Sequence, residues 1–219
     1  QGLLFGLWVE PEMVSPKSDL YNKHPEWAIK HPTKKPSLGR NQLMLDLANP
    51  NVVDYLTQTL IALFKEARVD YVKWDMNRNL SDAYSHYLDK LAQGRFHYLY
   101  TLGLYQLLGN LKKAFPNVLF ESCASGGNRF DLGMLAYMPQ TWTSDNTDAY
   151  ERLSIQSSTY MGYPQHTVSN HVNDDIAHQT LRAIPLHTRF HVAMFGVLGL
   201  ELDVRNLTPF NKAMIKHHL

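Results

Sequence analysis

The residues with chemistry to offer fall in five short strings, each closing an apolar stretch: Trp8-Val9-Glu10-Pro11-Glu12, Lys73-Trp74-Asp75-Met76-Asn77-Arg78, Glu121-Ser122-Cys123-Ala124-Ser125-Gly126-Gly127, Trp142-Thr143-Ser144-Asp145-Asn146-Thr147-Asp148 and Glu201-Leu202-Asp203. Every string supplies a carboxylate, and three of them place a tryptophan beside it. Two carboxylates divide the roles of acid and nucleophile at an acetal carbon. An indole ring stacks on the apolar face of a pyranose. Together these residue types point to carbohydrate chemistry.

Asp75 is the candidate nucleophile. Side chains alternate along a strand, so Lys73 and Asp75 face one way and Trp74 the other. The nearby ammonium favours the anionic form that a nucleophilic carboxylate needs. A salt bridge at a strand end is the plainer reading of the same spacing. Asp145 is the candidate acid/base: it follows Trp142 at a strand end, where an apolar neighbour favours the protonated form of a general acid. Asp148 competes for that role, although Asn146-Thr147-Asp148 before Ala149 reads as a loop entering a helix cap. In Cys123-Ala124-Ser125-Gly126-Gly127 the small residues let backbone approach a ligand. The Gly-Lys-Ser/Thr ending of a phosphate-binding loop is missing, and a lone Cys123 is ordinarily a buried thiol. His187 and His191 stand one helical turn apart, but Thr188 replaces the Glu of a metalloprotease helix, so packing is expected. Neither a metal nor a cofactor is predicted. Asp174-Asp175 before Ile176 reads as a helix cap.

The elements that must carry these strings alternate in type. Asn49-Pro50 is a helix-start signal, and Val53, Leu56, Leu60, Leu63, Phe64 and Ala67 follow at helical spacing. Tyr71–Trp74 reads as a strand, the stretch from Phe96 to Phe115 as a helix, and Val118–Glu121 as a strand after the Pro116-Asn117 turn. Further strands are expected at Thr141–Thr143, His166–Ser169 and Gly196–Leu202. Helices are expected near 129–138, 149–162, 176–195 and 209–219. With the opening strand this makes about six β-α units, an α/β pattern that predicts a parallel sheet covered by helices. Periodicity leaves both a doubly wound sheet and a (β/α)8 barrel open. No Gly-rich dinucleotide fingerprint follows any strand, and the polar residues collect at strand C-termini, where barrel active sites lie. Both observations favour the barrel.

Composition narrows the partners. The chain has 219 residues and a formal charge of +1, too weak a field to attract nucleic acid or an anionic membrane. No apolar run approaches the ~18–20 residues of a membrane span. One cysteine excludes an intrachain disulfide. The Lys30–Pro36 loop is charge-rich and reads as solvated. The chain opens on a strand-like run and closes on Phe210–Leu219, which reads as an unfinished helix. It is therefore expected to be an excerpt of a longer protein.

Four strings, Gly6–Val14, Lys73–Arg78, Glu121–Asp131 and Trp142–Asp148, closely resemble glycoside hydrolase family 36, the α-galactosidases that act on melibiose and raffinose. The resemblance runs along essentially the whole chain. It implies a (β/α)8 barrel of which residues 1–219 would carry strands three to eight, without the family's N-terminal β-sandwich, first strands and C-terminal β domain. It implies Asp75 as nucleophile and Asp145 as acid/base of a retaining mechanism. Trp8, Arg40, Lys73, Asn77, Cys123 and Gly126 would line the galactose pocket; the residues alone do not single out Arg40. It implies small galactosides as substrates, a homotetramer in the cytoplasm, and no activity for these residues by themselves. A related raffinose-synthase-like galactosyl transferase and a non-catalytic carbohydrate-binding domain are the alternatives. Two departures stand out: Asn128 where the family has a third glycine, and Phe190 where a small residue commonly follows the arginine.

Overall fold

Helix-start signals and apolar strings translate into parallel strands joined by helices in the computed structural model, which describes residues 2–219. The chain divides into two units, Gln1–Ser125 with Asp131–Pro139, and Gly126–Phe130 with Gln140–Leu219.

The first unit contains β1 (Gly6–Val9), β2 (Met13–Val14), α1 (Asp19–Lys23), β3 (Leu43–Met44), α2 (Pro50–Ala67), β4 (Tyr71–Trp74), α3 (Phe96–Ala114), β5 (Leu119–Ser122) and α4 (Leu132–Leu135). Strand β1 pairs parallel to β4, and β4 parallel to β5. Strands β2 and β3 form a small antiparallel pair. Helix α2 begins as its sequence dictates: Asn49 caps it by accepting from the Asn51 amide at 3.0 Å, and Pro50 occupies the first position. Its buried residues Val52, Val53, Leu56, Leu60 and Phe64 repeat at helical spacing and join one core with Val72, Trp74, Phe120 and the α3 residues Tyr100, Leu104, Leu107, Leu108 and Leu111. That core fixes one face of strands β1, β4 and β5 and leaves the alternate residues, Trp8, Tyr71, Lys73 and Glu121, on the other.

The second unit contains β6 (Gln140–Trp142), α5 (Ala149–Tyr160), β7 (Val168–Asn173), α6 (Leu186–Ala193), β8 (Val197–Glu201) and α7 (Pro209–His218). Here β6 pairs parallel to β7, and β7 to β8. Val172, Leu186, Phe190, Ala193 and Ile215 form its main core cluster. Among the described residues, no helix is long and apolar enough to cross a membrane.

Three expectations need correction. The helix expected over 176–195 is α6 alone, because Pro185 disfavours helical backbone at the residue before it and caps the helix start. The preceding segment is a loop, closed by a bridge between Ile176 and Ala183. Asp174-Asp175 therefore caps no helix; Asp175 pairs with Arg189 instead. The helix near 129–138 shrinks to α4, capped by Asp131. Phe190 is fully buried and stacks on His218 with ring centroids 4.9 Å apart, so its size serves packing.

Helix α3 approaches the β3–α2 connection closely at Gly103, where an added Cβ would lie 1.8 Å from the Leu47 carbonyl oxygen. Overpacking of this kind destabilises by about 1–3 kcal/mol. Thermal denaturation of protein carrying Gly103→Ala is expected to show a melting point lowered by several degrees.

Candidate active site

In the first unit the site follows from strand register. Trp8 lies opposite Lys73, and Lys73 opposite Glu121. The ladder continues past the strand ends, with the Asp75 amide donating to Val9 O and the Cys123 amide to Trp74 O, both at 2.8 Å. Two successive levels thus share the face turned away from the core: Trp8, Lys73 and Glu121, then Glu10, Asp75 and Cys123.

Asp75 is nearly buried, at 7% exposure. Its Oδ2 accepts from Trp8 Nε1 at 3.1 Å and from Asn77 Nδ2 at 2.7 Å, while Oδ1 accepts from the Met76 amide at 2.9 Å. A carboxylate presents about four lone-pair directions, so these neutral donors orient the group and leave it a direction for bonding. Asn77 is held in turn. Its Nδ2 also donates to Glu10 Oε1 at 2.8 Å, its amide to the same oxygen at 3.0 Å, and its Oδ1 accepts from the Ser125 amide and hydroxyl at 3.1 and 2.9 Å. Arg40 lies 3.4 Å from Glu10. Trp8, Arg40, Asn77 and Asp75 are therefore brought into one connected cluster, and Cys123 is buried on the adjoining strand end.

Lys73 sits 3.4 Å from the buried Glu121, which also accepts from the Tyr71 hydroxyl. Burial, reinforced by the charge of Glu121 and its hydrogen bond, holds the Tyr71 phenol above its ordinary range. Glu12 has a different fate from Glu10. Fully buried, it accepts from Trp74 Nε1 at 2.9 Å and Tyr100 OH at 2.5 Å, anchoring the sheet to α3. Trp74 faces that core, so it is no platform for a sugar. Trp8, 49% exposed, is the indole that borders Asp75 in the open.

In the second unit Asp145 Oδ1 accepts from Trp142 Nε1 at 3.0 Å, and its carbonyl accepts from Gln179. The indole therefore offers Asp145 a polar N–H edge rather than the apolar wall expected from sequence. The Trp142 ring is taken as well: the Arg152 guanidinium lies over it at 4.2 Å and His171 stacks on it at 4.3 Å. Burial pushes Arg152 down to about 10, against the opposing pull of Glu201, Tyr160 and Asp145. His171 reaches Glu201 at 3.0 Å. Gly126 has a left-handed φ of 86°, and an added Cβ would lie 2.8 Å from Ser144 Cα, so no other residue fits. Left-handed backbone occurs at Ser125 and Gly126, and Asn128, where the family has a third glycine, is exposed.

The Melibiase family model matches residues 1–219. The chain is 50% identical over 218 residues to alpha-galactosidase AgaA of Geobacillus stearothermophilus, covering 100% of this chain and 30% of that protein. It is 47% identical over 216 residues to alpha-galactosidase 1 of Pediococcus pentosaceus, covering 99% and 30%. A crystal structure of an AgaA variant in complex with raffinose matches with a TM-score of 0.97 and 49% identity, over 99% of this chain and 30% of that one. The chain thus spans about 30% of the length of these relatives.

Asp148 is the cap of α5, accepting from the Tyr150 and Glu151 amides, and it pairs with Arg182 at 3.0 Å. Burial acts to raise its carboxyl, but hydrogen bonds from Thr180 and those amides, with the Arg182 charge, outweigh it and leave it below its ordinary 3.8. A carboxyl lowered in the folded state stabilises above its unfolded value and loses that contribution as pH falls through the folded one. Asp148→Asn is expected to lose about 1–2 kcal/mol at pH 7. In denaturant titrations the gap to wild type should close only below the ordinary carboxyl value.

Proposed function

The chain belongs to the Melibiase family, and on that premise we propose that it is the greater part of the catalytic barrel of a retaining α-galactosidase of glycoside hydrolase family 36. The 219 residues supply strands three to eight of a (β/α)8 barrel. The full-length protein adds the first strands, an N-terminal β-sandwich and a C-terminal β domain, and these residues by themselves are inactive. The substrates are small galactosides with a terminal α-galactose, of the kind represented by melibiose, raffinose and stachyose. On the family pattern the working enzyme is a cytoplasmic homotetramer.

The observation that carries this reading is the Asp75 carboxylate, nearly buried and oriented by the neutral donors Trp8, Met76 and Asn77. Asp75 attacks the anomeric carbon as the bond to the departing oxygen breaks, and Asp145 delivers the proton that this oxygen takes up. A galactosyl ester on Asp75 results. Asp145, now ionised, takes a proton from water, and the hydroxide so formed displaces Asp75 from the anomeric carbon. Two inversions release galactose with its α configuration. On the family pattern, Trp8, Arg40, Lys73, Asn77, Cys123 and Gly126 line the galactose pocket.

The test uses the full-length protein and an aryl α-galactoside. Asp75→Gly is expected to reduce turnover by at least about a thousandfold, and added azide to restore it with β-galactosyl azide as product. An active wild type whose variant azide fails to rescue would move the nucleophile elsewhere. An inactive wild type that still binds galactosides would favour the carbohydrate-binding alternative.

A further inference from the structure

Arg40 stands at an unusual place in the backbone. Gly39 and Gln42 exchange hydrogen bonds, Gly39 N to Gln42 O at 3.1 Å and Gln42 N to Gly39 O at 2.8 Å, closing a two-residue turn. Its central residues, Arg40 and Asn41, have φ of 53° and 62°. Such a turn requires left-handed backbone at both central positions and ordinarily carries glycine at one of them. Here neither is glycine. Left-handed residues other than glycine persist where surrounding structure over-determines them, and they gather at functional sites.

The structure supplies that constraint from one side chain. Arg78 Nη1 donates to Ser37 O at 2.9 Å and to Gln42 O at 3.0 Å, thereby gripping the chain on both flanks of the turn. Its Nη2 donates to Ser81 Oγ at 3.1 Å. The aliphatic part of Arg78 lies against Gly39, where an added Cβ would come within 3.3 Å of Arg78 Cδ. A second tie runs parallel to it: the Ser37 amide and hydroxyl donate to Asp82 at 2.7 and 2.9 Å. Arg78 directly follows Asn77, whose amide shares Glu10 with Arg40. The turn that bears Arg40 is thus fastened to the segment that bears Asp75.

We infer that Arg78 is a positioning residue for substrate binding: it clamps the strained Gly39–Gln42 turn so that Arg40 is presented at a fixed place relative to Asp75 and Asn77. The inference rests on the reading of Arg40 as a galactoside-binding residue. Arg78 itself touches no substrate and takes part in no bond-making step. A planar guanidinium bridges two carbonyls, whereas a lysine ammonium acts as a point charge.

The test combines kinetics with amide exchange on the full-length protein, using an aryl α-galactoside. Arg78→Ala is expected to raise KM about tenfold with kcat within about twofold, the signature of lost binding shared by ground and transition states. Arg78→Lys, which keeps the charge, should give a smaller rise. In an Arg40→Ala background, Arg78→Ala should add less than about twofold to KM, because residues acting through one contact are not additive. The Gly39 and Gln42 amides should exchange about tenfold faster in Arg78→Ala. Unchanged exchange, a kcat loss at constant KM, or KM effects that multiply in the double variant would each overturn the clamp. If the wild-type protein turns over no galactoside, the family reading fails instead, and the exchange rates still decide whether Arg78 holds the turn.

Discussion

The hydrogen-bonded register of β1, β4 and β5 is the constraint from which the first unit's site follows. Because β1 meets β4 with Trp8 opposite Lys73, and β4 meets β5 with Lys73 opposite Glu121, the charged and aromatic residues share one face and Val72, Trp74 and Phe120 the other. A slip of one residue would turn Lys73 and Asp75 into the core and expose Trp74. The apolar face resists such a slip through Val72 and Trp74, both fully buried. Glu12 adds a polar pin, since only this register brings Trp74 Nε1 to its carboxylate. Packing on one side of the sheet therefore sets the geometry of chemistry on the other.

Buried charge is managed by ion pairs at some positions and by neutral hydrogen-bonding groups at others. Glu121 is held by Lys73 and Tyr71, Arg189 by Asp175 and the carbonyls of Ile184 and Asn173, and Asp148 by Arg182 and a helix start. Arg152 is covered by the Trp142 ring and donates to Thr143 Oγ1 and Ser144 O at 2.8 and 2.6 Å. A buried ion left without its partner is strongly destabilising. These networks give the buried side chains several fixed partners each, which is the kind of support a reacting carboxylate requires of its surroundings.

The sequence was most legible where local periodicity decides structure. Tyr71–Trp74 appears as a strand with the expected bounds, α2 starts at the Asn49-Pro50 signal, and Lys73 and Asp75 lie on the face opposite Trp74. It was least legible where the partner is distant in the chain or where only an atom, rather than a residue type, matters. Glu10 and Glu12 look equivalent in the string, yet one faces Asn77 and the other is sealed against Tyr100. Trp142 reads as an apolar neighbour of Asp145, but it is the N–H that meets the carboxylate. Arg152 and His171 come to Trp142 from α5 and β7, and nothing near Trp142 in the sequence announces them. Pro185, a breaker in plain view, explains the helix drawn too long before α6.

The central claim is that Asp75 is the carboxylate that bonds to the sugar. Treating the full-length protein with a 5-fluoro-α-galactosyl fluoride, whose ring fluorine slows breakdown of a glycosyl ester, and mapping the adduct by peptide mass spectrometry tests it most directly. The account predicts one fluorogalactosyl group per chain, on the peptide that contains Asp75 and on that side chain. An adduct on Glu10, Asp145 or any other carboxylate, formed while Asp75 stays unmodified, would contradict it.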